Sequence, residues 1–273
     1  MCTVTIVPLG TDDRVPRPTR PAGFRLACNR DEARTRLPAL APRPRLYAER
    51  MALVPLDGEK GGTWIAVSDA GLAMALLNRR TAPPSEDRNA LRATVEATSE
   101  ERPSRGRIIP ALLASGTLVE AMHRADQFLP GGFSPFRLVL TDGRQVGELV
   151  WDGARLTARR GPWSGEPLLF TSSGLGDRLV ARPRRTLFRS MVAVAGPADL
   201  EACQDLFHRH SWPDRPHLSV CMRRDDACTV SHSVIEVRPG ERSRFLYYPD
   251  APDTGVAPTI AWLPMRRAGE AAP

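Results

Sequence analysis

Short blocks of apolar and β-branched residues, separated by turn-forming clusters, recur along this chain and are interrupted by two stretches of helical character. The opening run from Cys2 to Leu9 reads as a strand. Phe24 to Cys28 reads as a second, running directly into Asn29-Arg30-Asp31-Glu32. Residues 9–22, rich in proline and charge, are expected to loop between them. Arg34 to Arg45 has no periodicity and reads as another loop. Leu53 to Leu56 is a short apolar piece before an Asp57-Gly58 turn. Gly61-Gly62-Thr63-Trp64 then leads into a strand at Ile65–Val67, a turn at Asp69-Ala70-Gly71 and a returning strand from Leu72 to Asn78. From Arg79 to Arg105 the chain is polar and breaker-rich, as expected of a surface excursion.

Two helices are expected next, Ser104–Leu113 with an irregular start at Pro110, and Thr117–Ala125 with a Thr117/Glu120 capping box. Phe136–Leu140 and Val146–Trp151 flank the hairpin signal Thr141-Asp142-Gly143-Arg144, and Arg155–Arg159 and Leu168–Thr171 add strands. Asp177 to Val194 reads as a helix interrupted at Pro183, and Asp199 to His210 as another. Leu218–Met222, Thr229–Val237 and Arg244–Tyr248 are expected to close the chain as strands. Strands joined by hairpins, with helices inserted in pairs, predict an α+β fold of antiparallel sheets covered by helices. No repeat and no linker divides the chain, so residues 1–273 are expected to form a single domain, with the stretch after Pro249 the weakest part.

Composition removes several function classes. The net charge is +7, but Lys60 is the only lysine, the arginines are scattered, and no aromatic-interleaved basic motif appears, so nucleic acid is not an expected partner. The five cysteines are too few and too spread for a disulfide framework, and no Cys-x-x-Cys spacing offers zinc, thioredoxin-like or c-type haem chemistry. The five histidines show no metal-ligand spacing, and His208 and His210 at i, i+2 do not share a helical face. The N-terminus lacks a secretory pattern and no apolar run is long enough to span a membrane, which predicts a soluble, cytoplasmic protein.

The chemistry worth weighing begins at Cys2. Loss of Met1 would leave Cys2 with a thiol and a free α-amine, a nucleophile and its own base, both titrating near neutral pH. Taken alone, such a cysteine reads equally as a small buried residue opening a strand. Strand alternation puts Asn29 and Asp31 on one side and Arg30 and Glu32 on the other. Asp31 can accept from the α-amine, while Arg30 and Glu32 can serve the site or pin the strand end as an ion pair. Asn78 is an oxyanion donor or a turn residue. Gly62 permits close backbone approach or a tight turn, and Trp64 is core or substrate wall. Ser173 follows a strand and precedes a helix.

Met-Cys at the start, Asn29-Arg30-Asp31-Glu32 after the second strand, and Gly61-Gly62-Thr63-Trp64 before a hairpin ending in Asn78 resemble the NRDE family, which includes the Transport and Golgi organisation protein 2 group. That family is similar to the N-terminal nucleophile (Ntn) hydrolases that cleave bile-salt and penicillin amides. The resemblance implies a four-layer αββα sandwich with two antiparallel sheets, Cys2 as nucleophile, and Asp31 and Asn78 in matching catalytic positions. Two departures stand out. Cys28 occupies the place of an arginine in the bile-salt type, so a basic partner would come from Arg30 or elsewhere. Ser172 and Ser173 occupy the place of a second asparagine. Two functions follow as expectations. One is an amidohydrolase acting on a small-molecule amide or acyl bond with no required cofactor. The other is a non-catalytic carrier of haem or an acyl-lipid or acyl-CoA, as the family's association with Golgi organisation, lipid handling and haem trafficking implies. Cys2 or a histidine could then ligate haem iron. Oligomeric state is left open.

Overall fold

Period-two alternation in the first two strands decides where the core lies. Cys2, Val4 and Ile6 of β1 (Cys2–Pro8) and Phe24, Leu26 and Cys28 of β2 (Phe24–Ala33) point to one buried face. A computed structural model describes residues 2–10, 22–79, 102–128 and 132–266. Met1, most of the expected loop at residues 9–22 and most of the excursion between Arg79 and Arg105 lie outside the described residues.

Among the described residues two antiparallel sheets form. The first has the order β10 (Leu168–Thr171), β1, β2, β11 (Ala227–Val237), β12 (Ser243–Tyr248) and β13 (Thr259–Leu263). The second is a meander in chain order: β3 (Leu40–Tyr47), β4 (Arg50–Leu56), β5 (Ile65–Ser68), β6 (Ala73–Asn78), β7 (Phe136–Thr141), β8 (Gln145–Trp151) and β9 (Leu156–Pro162). The inner faces meet through Val4, Ile6, Leu26 and Cys28 on one side and Leu53, Ile65, Val67, Ala75 and Val139 on the other. The outer face of the second sheet packs under α1 (Ile108–Leu112) and α2 (Leu118–Phe128), with Met74, Leu138 and Leu140 against Ile109, Leu112 and Leu118. The outer face of the first sheet packs under α3 (Asp177–Met191) and α4 (Leu200–Arg209), where Val7 meets Phe188 and Phe207, whose rings stand edge to face at 5.3 Å. These layers make the expected α+β, four-layer αββα sandwich.

The structure departs from the sequence expectations at four places. The loop expected over Arg34–Arg45 contains most of β3, an edge strand. Pro42 and Pro44 need no ladder partner on the open side of an edge, and the register shifts between Leu40 and Arg43. The strand expected over Leu218–Met222 is instead a 3-10 turn, Pro216–Leu218, followed by buried irregular chain, because the Leu218 and Ser219 carbonyls are taken by Arg184. Pro183 does not interrupt α3. Burial of Val180, Arg184 and Phe188 outweighs the one missing hydrogen bond. Beyond Pro249 the chain still contributes β13, paired along β12.

One backbone contact fixes the mouth of the sandwich. Gly62 packs so closely on Gly106 that a Cβ at position 62 would sit 2.7 Å from the Gly106 Cα, and the Thr63 N–H donates to the Gly106 carbonyl at 3.0 Å. The 3-10 turn Arg105–Arg107 is thereby held against the loop before β5. Gly62→Ala should force these two backbones apart, lowering stability by about 1–3 kcal/mol and raising the alkylation rate of Cys2 beneath them. Chemical denaturation and timed alkylation measure both. Wild-type values in each would show that the contact yields freely.

Candidate active site

Cys2 starts β1 directly opposite Arg30 of β2, and this register builds the site. Both residues line a cleft of about 210 Å³ at the end of the sandwich, together with Asp31, Asn78 and Trp64. The Cys2 side chain is nearly enclosed, at 4% exposure, and the buried Cys28 thiol is its neighbour on the same face. Pairing with the Cys28 thiol holds the Cys2 thiol below its ordinary pKa although burial opposes it, and the same pairing with burial pushes the Cys28 thiol well up. Ser172, just beyond β10, clamps Cys2 from the other side. Its Oγ accepts from the Cys2 N–H at 3.1 Å and its own N–H donates to the Cys2 carbonyl at 3.0 Å.

Arg30 reaches across the cleft. Its guanidinium stacks on the Trp64 ring at 4.2 Å, hydrogen-bonds Asp57 and lies 3.8 Å from Glu32. Asp57 also accepts a two-pronged pair from Arg36, at 2.7 and 2.9 Å, and the Lys60 N–H at 2.9 Å. Burial would raise the Asp57 carboxyl, but the Arg36 and Lys60 hydrogen bonds and the neighbouring positive charges hold it down at about 2. Trp64 is therefore both core, at 7% exposure, and cleft wall. Gly62 lines the cleft through the Gly106 contact, and Arg105, donating to the Pro135 carbonyl, adds a cation whose pKa burial lowers. Asn78 shares the outward-facing parity of Leu76 and Met74 and lines the cleft from that side.

Asp31 is buried at the foot of the cleft and accepts from the Thr229 hydroxyl at 2.7 Å. Burial raises its pKa, opposed chiefly by the charge of Arg184. Arg184 sits on α3 at 1% exposure and ties the strands beside Cys2 together, donating to the hydroxyls of Thr3 and Thr171, both at 2.9 Å. No motif flagged Arg184. Its only signal was a cation on what becomes the apolar face of an amphipathic helix, beside Val180 and Phe188.

Two expected site residues are elsewhere. Ser173 does not line the cleft. Its hydroxyl accepts the Leu175 N–H and its N–H donates to Asp177, so it shapes the turn into α3, and Ser172 is the serine that touches Cys2. Asn29 faces the helix layer because alternation turns it away from Cys2. Its amide donates to the carbonyls of His208 and Val220, and its Oδ1 accepts from the Nδ1 of both His208 (3.0 Å) and His232 (2.7 Å). His208 Nε2 is then free to accept the Thr5 hydroxyl at 2.7 Å. No group of residues able to hold a metal ion occurs among the described residues.

This network needs neutral imidazoles. Burial, with nearby positive charge, pushes His208 well down and His232 down to about 3. The unfolded chain takes up those protons near pH 6.5, so stability falls as pH drops below that value. His232 alone should cost about 2 kcal/mol at pH 5 relative to pH 7. Urea unfolding at the two pH values tests this, and equal stabilities would show that the imidazoles are not held neutral.

The fold has solved counterparts. A penicillin V acylase from Agrobacterium tumefaciens aligns with a TM-score of 0.54 at 13% identity, over 95% of this chain and 85% of that one. An N-acylethanolamine-hydrolyzing acid amidase orthologue from Caenorhabditis elegans gives a TM-score of 0.54 at 14% identity, over 92% of this chain and 94% of that one. At these identities the likeness shows the Ntn-hydrolase fold. No curated protein matches the sequence. The sequence signature of Transport and Golgi organisation 2 matches residues 17–165, more than half of the chain. On that match the chain belongs to the Transport and Golgi organisation 2 family.

Proposed function

We propose that the protein hydrolyses a non-peptide amide or related acyl bond through Cys2 after removal of Met1. One observation carries this reading: the Cys2 thiol lines a small cleft beside Asp31, Arg30 and Asn78, with its own backbone nitrogen held by Ser172. Once Met1 is gone that nitrogen is the α-amine. The thiolate attacks the substrate carbonyl and a carbon–sulfur bond forms. The oxyanion takes a hydrogen bond from the Asn78 amide, a contact typically worth ~2.7–4 kcal/mol. The α-amine, oriented by Ser172 and the Asp31 carboxylate, passes the thiol proton to the leaving amine, and water then releases the acyl group. Arg184 and Thr229 support the charged form of Asp31 at the depth where burial opposes it. Both solved counterparts carry names of amide-cleaving enzymes, which agrees with this chemistry.

A carrier of acyl ligands in the same cleft is the second reading. Cys28 in place of an arginine, and Ser173 turned away from the cleft, favour it. Haem is the less favoured ligand, because the described walls of the cleft are charged and carry no histidine.

Turnover of a panel of N-acyl amides and acyl thioesters by wild type and Cys2→Ala separates the readings. The hydrolase requires activity in wild type, its loss in Cys2→Ala, and an acyl adduct trapped on Cys2. Ligand binding without turnover in either protein leaves only the carrier. Asp31→Asn should shift the pH profile of Cys2 alkylation, whereas Glu32→Gln, which weakens the ion pairs to Arg30 and Arg36, should leave it in place. Identical profiles in two folded variants would make Asp31 structural.

A further inference from the structure

Cys28 is unused by the hydrolytic scheme, yet it is the thiol nearest the nucleophile along the paired strand. In the β1–β2 register Cys2 lies opposite Arg30 and Cys28 opposite Val4, so the two cysteines are diagonal neighbours whose side chains point to the same inter-sheet face. Diagonal positions on an antiparallel pair are near neighbours, and here each thiol acts directly on the titration of the other. Their exposures differ in a useful way. Cys2 lines the cleft, whereas Cys28 is fully buried behind it. A small oxidant entering the cleft therefore meets Cys2 before Cys28. Cys2 is also the first residue of β1, with its N–H and carbonyl both tied to Ser172, so its backbone is fixed while its side chain faces Cys28's layer.

We infer that Cys2 and Cys28 form a paired redox site, at which a hydroperoxide oxidises Cys2 and Cys28 closes a disulfide onto it. In the first step the Cys2 thiolate attacks the peroxide. A sulfur–oxygen bond forms, the oxygen–oxygen bond breaks, and the alkoxide or hydroxide leaves and takes up a proton. In the second the Cys28 sulfur attacks the sulfenic acid. A sulfur–sulfur bond forms, the sulfur–oxygen bond breaks, and the departing hydroxide takes the Cys28 proton to leave as water. Two thiols lose two electrons and one peroxide gains them. A small dithiol reverses the bond by exchange. Burial and the Asp253 carboxylate push Cys221 up to about 12, and burial raises Cys228, so these thiols are poor competitors for the oxidant. The consequence is protective: the disulfide masks Cys2 from irreversible sulfinic oxidation and suspends any thiol chemistry there until reductant returns.

The inference does not rest on hydrolysis or on the state of Met1, and its test is separate from the acyl-trapping assay. Full-length protein is treated with a few equivalents of hydrogen peroxide, then quenched and examined by intact mass and non-reducing peptide mapping. Wild type should lose about 2 Da, lose two titratable thiols, yield a Cys2–Cys28 linked peptide, and recover fully with dithiothreitol. Cys28→Ser and Cys28→Ala should instead gain about 32 Da at Cys2, with no recovery. The wild-type map decides the matter even where a Cys28 variant folds poorly. A wild-type protein that accumulates sulfinic Cys2 without a disulfide, that links Cys2 to another cysteine, or whose thiols all survive the peroxide would overturn the inference.

Discussion

The antiparallel register that sets Cys2 opposite Arg30 governs the rest of the site. A strand repeats every two residues, so a slip of one would exchange the two faces of β2. Cys28 and Arg30 would then face the helix layer, leaving Cys2 without them, and Asn29 and Asp31 would enter the inter-sheet core. The register is held at both ends. On one side the Ser172 clamp joins the start of β1 to the end of β10, and Arg184 bridges the Thr3 and Thr171 hydroxyls of the same pair. On the other the Asn29 amide and the two imidazoles lock β2 to α4 and β11.

Charge is distributed over the two faces with different aims. On the cleft side, Arg30 is buried but stacked and ion-paired, and Asp57 gathers Arg30, Arg36 and two backbone N–H groups into one cluster that stiffens the mouth. On the helix side the charges are deeply buried, where an isolated ion is costly and the arrangement persists only with partners. Asp31 has Thr229 and the field of Arg184. Arg184 has four oxygen acceptors. The helix layer thus does more than cover the sheet, because it brings the cation that supports Asp31 one layer beneath the thiol.

Much of this was legible from residue pattern. The hairpin around Gly143, the capping pair Thr117 and Glu120, with its 3.1 Å bond from the Glu120 N–H, and the alternation through Asn29–Glu32 follow from local rules that the structure obeys. What local rules could not reveal came from distant partners. The prolines of residues 38–44 read as loop because propensity does not know that β3 lies on an edge. The chain at Leu218–Met222 lost its strand to a guanidinium arriving from α3. Arg184, Ser172 and the pairing of Cys2 with Cys28 bring together segments far apart in the chain, and nothing in any one segment announces them. Asn29 belonged to the right motif, but its role depends on two histidines more than a hundred residues away.

The central claim is that one thiol among five is set apart by its place at the cleft and by its pairing with Cys28. Competitive labelling with limiting iodoacetamide at neutral pH, read by peptide mapping alongside the intact mass of the purified chain, tests it most directly. The account predicts a chain lacking Met1, in which Cys2 is carboxamidomethylated well ahead of Cys28, Cys203, Cys221 and Cys228. A chain that keeps Met1, or labelling that is uniform or absent at Cys2, would contradict it.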